Sequence, residues 1–211
     1  MQPGARDAEI GHRHRVAGGV GVRRLRHEDG DHGLLQHGVA APAASHQRAR
    51  IPVFGSSETL ASLQRIFPYV FQKPNHKTFV PEIDVFDHQG QPFEAIGLRI
   101  QPVPVLHGSQ TIHGYRIGNL AYLTDHSEIP EASFDLLRDL DVLFVDALRY
   151  RHHPTHSTVE TALHNIARIQ PRRAFFTHIC HDLPHAATEA TLPAHVRMAY
   201  DGLRIPIGDA S

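Results

Sequence analysis

The chain is predicted to be an α/β protein, and three observations carry the prediction. Short apolar runs bounded by turn residues fill residues 51–124, strand-like and helix-like segments then alternate, and 211 residues suit one ordinary domain. Strands first and β-α-β-α alternation afterwards describe sheets covered by helices.

Each element has its own reason. Ile51–Pro52–Val53–Phe54 is a short strand-like run, and Ser56 or Ser57 can cap the helix that follows it. That helix, about 58–67, sets Leu60, Leu63, Ile66 and Phe67 on one face. Residues 78–86 and 93–105 read as strands, the second with alternating Ile96, Leu98 and Ile100. Residues 111–118 and 120–124 form a hairpin turning at Gly118–Asn119. A short helix (130–138), the strand Val142–Val145, a helix (157–169), the strand Ala174–Phe176 and a closing pair near 196–207 complete the series.

Composition excludes several classes. Twenty-one basic against twenty-two acidic residues leave a net charge of −1, which argues against a general polyanion binder. No apolar run reaches the roughly eighteen residues of a membrane span. The N-terminus has no signal-peptide core, and the single Cys180 excludes an internal disulfide framework, so a cytoplasmic location is expected. Nineteen histidines are the anomaly. The chain also changes character near Arg50. All fifteen aromatic residues follow position 50, while half of the sixteen glycines and no lysine precede it. Residues 1–50 therefore have little to bury and are expected to be a separate, poorly ordered or out-of-frame segment, with the folded domain at 51–211.

The chemistry sits at strand ends. His107 ends Pro102–Leu106, Asp125 ends Leu120–Thr124, Asp146 ends Val142–Val145 and His178 ends Ala174–Thr177. Strand tips are rigid, and nitrogen with carboxylate oxygen suits zinc, manganese or iron better than calcium. Taken singly, a histidine after a strand is more often a turn residue, and Asp146 could serve only its own loop. Four such tips in series lower the odds of coincidence and bring the site reading level with the bland one. His156 directly precedes a helix start, where it can meet an anion or give a proton to a leaving alkoxide. His152 and His153 read as solvated loop residues, and His113, His126, His164, His185 and His195 as surface or helix-face residues. His181 and Asp182 follow His178 closely enough for Asp182 to orient an imidazole from behind.

These residues carry a resemblance. The strings Val105–Leu106–His107–Gly108, Tyr122–Leu123–Thr124–Asp125 and Phe144–Val145–Asp146–Ala147–Leu148 come in that order. Pro154–Thr155–His156–Ser157–Thr158, Thr177–His178–Ile179–Cys180–His181–Asp182 and Ala199–Tyr200–Asp201–Gly202 follow. In this order and spacing, residues 51–207 resemble the later part of a metallo-β-lactamase-fold hydrolase. The similarity is to the branch of phosphodiesterases like the phosphonate-pathway cyclic-phosphate phosphodiesterase, itself related to ribonuclease Z. The resemblance implies an αββα sandwich and up to two divalent ions, zinc or manganese. It gives His107 and His178 as metal ligands, Asp125 as the carboxylate between two metals, and His156 as the residue that assists departure of the alcohol. Asp146, His181 and Asp182 stand behind them.

One departure matters. The family's His-x-His-x-Asp-His element is absent, and the nearest string is His12–Arg13–His14–Arg15–Val16–Ala17. His12 and His14 are the remaining candidates for a first metal, and the fold is expected to be incomplete at its N-terminus. The function expected is metal-dependent hydrolysis of a small phosphodiester, a cyclic phosphate or nucleotide-like molecule, with nucleic acid and membranes not expected as partners. Exposed strand edges would permit a homodimer. The rivals are a non-catalytic remnant that only binds, and a tRNA-processing nuclease of the ribonuclease Z kind, for which no basic, glycine-rich arm is found after residue 51.

Overall fold

The apolar runs become strands in the order expected. The computed structural model describes residues 50–71 and 82–207, so His12, His14 and the rest of the segment before Arg50 lie outside the described residues, as does the start of the strand expected from residue 78. β1 (Ile51–Gly55) pairs in parallel with β2 (Ile83–Asp87) in a two-stranded sheet. Between them come α1 (Ser57–Ile66) and α2 (Pro68–Phe71). Ser56 caps α1, its hydroxyl accepting from the Thr59 N–H at 3.3 Å, which satisfies one of the orphan donors of the first turn.

The second sheet has seven strands: β3 (Phe93–Ala95), β4 (Leu98–His107), β5 (Gln110–Ile117), β6 (Leu120–Leu123), β7 (Val142–Asp146), β8 (Arg173–Thr177) and β9 (Val196–Met198), paired in that order. The pairs from β3 to β6 are antiparallel hairpins, and those from β6 to β9 are parallel. Phe54 of β1 stacks on Phe86 of β2 and Phe93 of β3, with centroids 5.0 and 4.6 Å apart, so aromatic contact joins the two sheets. Where β5 meets β6, a Cβ on Gly114 would collide with the Leu123 side chain and lie 2.8 Å from the Tyr122 carbonyl, so the backbones approach here only because the residue is glycine.

Two expectations are revised. The single strand expected over 93–105 is a hairpin, because Ile96 (φ 50°) and Gly97 (φ 76°) form a left-handed two-residue turn. The closing pair near 196–207 is β9 alone. After the Ala199 N–H bonds to the Phe176 carbonyl, the chain turns at Gly202 (φ 88°), and the Pro206 carbonyl is held from outside by the Arg173 guanidinium at 2.8 Å. The short helix expected at 130–138 is the 3-10 segment Glu131–Leu137.

The core lies between the large sheet and α3 (Val159–Ile169), which is capped by Thr158 and ends on Gln170 in left-handed conformation. Val159, Ala162, Ile166 and Ile169 of α3 are buried at helical spacing against Leu143, Val145, Ala174 and Phe176. This packing fixes the helix start, and with it the loop just before it. Among the described residues no helix is long and apolar enough to cross a membrane.

A separate polar pair is formed by His88, which follows β2, and His113 of β5. His88 is 6% exposed and stacks on Phe93, with the His113 ring 5.0 Å away edge-on. Burial pushes both imidazoles below their ordinary value, and for His113 the nearby His88 adds to it. Unfolded, both would take protons near pH 6.5, whereas folded they resist. Stability is therefore full above that pH and declines as the pH falls through the depressed folded values. Urea unfolding of chelator-treated protein at pH 7.5 and 5.5 checks this: His113→Phe is expected to flatten the dependence, and an unchanged slope would count against it.

Candidate metal centre

Strand direction brings the polar tips together. β6, β7 and β8 are parallel, so Asp125, Asp146 and His178 follow or end them on one sheet edge. β4 is two antiparallel pairings from β6 and runs the same way, so His107 at its end reaches that edge too. The carboxyl ends of parallel strands are where open α/β sheets hold their ligands. Asp125 (φ 62°) and His178 (φ 56°) both adopt the left-handed conformation, which costs a non-glycine residue about 1 kcal/mol or more and tends to occur where a side chain must be aimed.

Asp125 is the hub. Its side chain is 3% exposed, and Oδ1 lies 3.1 Å from His156 Nδ1, 3.5 Å from His107 Nε2 and 3.6 Å from His178 Nε2. Burial resists ionisation of this carboxyl, but His156, His178 and His107 together overcome it and hold its pKa below the ordinary range. The His156 ring sits between its neighbours, 5.2 Å from His107 and 4.8 Å from His178.

Asp146 completes the floor. Fully buried, its Oδ2 accepts the backbone N–H groups of His126 at 3.0 Å and Ser157 at 3.4 Å, and lies 3.6 Å from His156 Nδ1. Asp146 thus ties the Asp125 turn to the start of α3 while facing His156. Burial alone would lower the His156 pKa, but Asp125 and Asp146 reverse this and raise it to about 9. Among the described residues Nδ1 has no well-aligned hydrogen-bond partner, so both carboxylates act on it at close range but off the ideal N–H line.

Three histidines differ from their sequence reading, the first being His113, which is half-buried on β5 beside His88 rather than at the surface or on a helix face. His126 is buried, not at the surface; backbone bonds to Asp146 and Ser157 draw it inward, neither ring nitrogen has a partner among the described residues, and burial pushes its pKa down to about 4. His153 is half-buried rather than solvated, its ring 4.5 Å from that of His156. The compact spacing His153–Pro154–Thr155–His156 was the available signal, since two histidines three residues apart around a proline of fixed φ can face one another. His181 and Asp182 form a separate group with Cys180. Asp182 is held by Arg151 at 2.9 Å and lies 3.2 Å from His181 Nε2, while His181 is 95% exposed.

The donors suit a divalent cation. His107, Asp125 and His156 present ligand atoms within 4.8 Å of one another, and His178 adds a fourth near Asp125. Adjacent ligands of a small tetrahedral ion bound at about 2.1 Å lie about 3.4 Å apart, which matches the 3.5 and 3.6 Å from Asp125 Oδ1 to His107 and His178 Nε2. Imidazole and carboxylate suit zinc and manganese alike.

Comparison with known proteins gives the same direction. Residues 24–179 match the family described as the beta-lactamase superfamily domain, a match that begins within the segment set apart by composition. A diphosphatase from the PhnP family is 39% identical, with a TM-score of 0.69 over 76% of this chain and 60% of that one. Human short-form tRNase Z, 15% identical over 76% of this chain and 69% of that one with a TM-score of 0.51, shares the fold. An octanoyltransferase from Porphyromonas gingivalis W83 is 32% identical over 162 residues, which are 75% of this chain and 33% of that protein. The chain thus spans a third of that curated relative and less than two thirds of the diphosphatase. By the extent of the family match, and by the sheet edge that gathers its histidines and aspartates, this chain belongs to the beta-lactamase superfamily and has the metallo-β-lactamase fold.

Proposed function

We propose that this protein is a divalent-cation-dependent hydrolase of a small phosphodiester or diphosphate, such as a cyclic phosphate or a nucleotide-like molecule. The observation that carries the reading is the convergence of three imidazoles on the single oxygen Asp125 Oδ1. His107, Asp125 and His178 would hold the cation, zinc or manganese, with His12 and His14 as the remaining candidates for a second one. When bound, such cations lower the pKa of water and neutralise charge on phosphoryl oxygens. His156 supplies the proton. Its Nδ1 faces Asp125 and Asp146, which leaves the opposite nitrogen, Nε2, to protonate a leaving oxygen. The similarity to the diphosphatase supports a phosphorus-centred substrate.

Elemental analysis of the purified full chain, paired with hydrolysis of bis(4-nitrophenyl) phosphate, tests this. Bound metal that is lost in the His107→Ala/His178→Ala double variant, together with metal-dependent hydrolysis, is the expected result. Bound metal without hydrolysis selects the non-catalytic reading. Tight tRNA binding selects the nuclease.

A further inference from the structure

We propose that His153 is a substrate-binding residue, a neutral imidazole whose Nε2–H donates a hydrogen bond to a phosphoryl oxygen held beside His156. The inference rests on the proposed function and assigns a residue the sequence left in solvent.

The argument begins with a tautomer. The Thr155 backbone N–H donates to His153 Nδ1 at 3.3 Å, and a backbone N–H can only donate. Nδ1 is therefore an acceptor, and the ring's single proton resides on Nε2. The Thr155 hydroxyl lies 3.3 Å from the same Nδ1 and, with Nδ1 an acceptor, can donate to it. Nε2–H has no protein partner among the described residues.

Position then selects the ligand. The His153 ring lies 4.5 Å from that of His156, tilted by 36°. Its place is fixed from below, because Arg149 donates to the carbonyls of Arg151 at 3.2 Å and His152 at 2.9 Å and so braces the segment leading into it. A held N–H donor next to the proposed proton donor, on the loop that enters α3, is arranged to meet an oxyanion. A substrate whose bridging oxygen faces His156 would bring a non-bridging phosphoryl oxygen toward His153. The two histidines divide the work, one giving a proton and the other giving only a hydrogen bond.

Two substitutions separate donor from ring. His153→Phe keeps an aromatic ring against His156 and removes the donor, whereas His153→Gln removes the ring and places an amide donor close to the original Nε2. Inorganic phosphate titrated into the metal-loaded full chain, followed by calorimetry, reads binding without turnover. The proposal expects about tenfold weaker phosphate binding for His153→Phe, with His153→Gln within about threefold of the parent. With bis(4-nitrophenyl) phosphate, the Phe variant should raise KM by a similar factor and leave kcat within about twofold. Phosphate binding by the Phe variant equal to the parent's overturns the proposal, and so does a parent chain that binds no phosphate. If phosphate binding depends on His153 but no diester is hydrolysed, the donor role stands and the proposed function falls. Hydrolysis with phosphate binding indifferent to both substitutions leaves the function standing and removes the donor role.

Discussion

Asp125→Asn is expected to strip the purified protein of most of its metal and to abolish measurable phosphodiester hydrolysis. No other side chain among the described residues faces three imidazoles at once, His156, His107 and His178, at 3.1 to 3.6 Å from one oxygen. An amide is a neutral, poorer ligand in the same volume, so the loss is chemical rather than steric. Changing a mere outer partner of a metal ligand typically weakens metal binding about 10–100-fold, and removing the shared ligand should exceed that. A second readout follows from charge. Asp125 and Asp146 together hold the His156 proton, so in the chelated variant the His156 imidazole should titrate at lower pH, because only Asp146 remains. Metal content by elemental analysis and imidazole titration by NMR check the two effects independently. Full metal occupancy in the variant would falsify the role given to Asp125.

The second large effect concerns His156. His156→Gln is expected to slow hydrolysis of an alkyl phosphodiester by about 10²–10⁴-fold while changing the 4-nitrophenyl ester far less. A poor leaving group needs a proton as its bond to phosphorus breaks, whereas 4-nitrophenolate departs without one. The placement supports this: Nδ1 lies 3.1 Å from Asp125 and 3.6 Å from Asp146, and the side chain keeps 15% exposure. Steady-state rates on a matched pair of esters decide it. An equal loss on both would show that His156 acts in binding or in holding the cation. Metal content measured on the same preparation separates those two.

The candidate site was legible because its residues follow apolar runs. Pro102–Leu106, Leu120–Thr124, Val142–Val145 and Ala174–Thr177 each end in His or Asp, and a buried strand announces its tip by the first polar residue after it. The hairpin at Gly118–Asn119 and the helix expected over 157–169 were equally local signals. The turn at Ile96–Gly97 was hidden, because alternating Ile96, Leu98 and Ile100 imitate one continuous strand face. His126 and His153 were hidden for a different reason. Each lies among polar neighbours in sequence, and whether such a residue is buried depends on which other strand tips surround it.

From the sequence alone came the α/β class, the order of strands, the family resemblance and the list of residues able to bind or transfer protons. Each follows from local chemistry: apolar periodicity, capping residues and the donor atoms of side chains. The tertiary structure alone decided that β4 and β6 run the same way, which brings His107 to Asp125 from eighteen positions earlier in the chain. It also decided that Asp146 serves His156 as well as its own loop, that Asp182 is held by Arg151, and that the His153 ring lies beside that of His156. The physical reason is direction. Strand pairing and the left-handed turns at Asp125 and His178 set where a side chain points, and residue type carries no information about that.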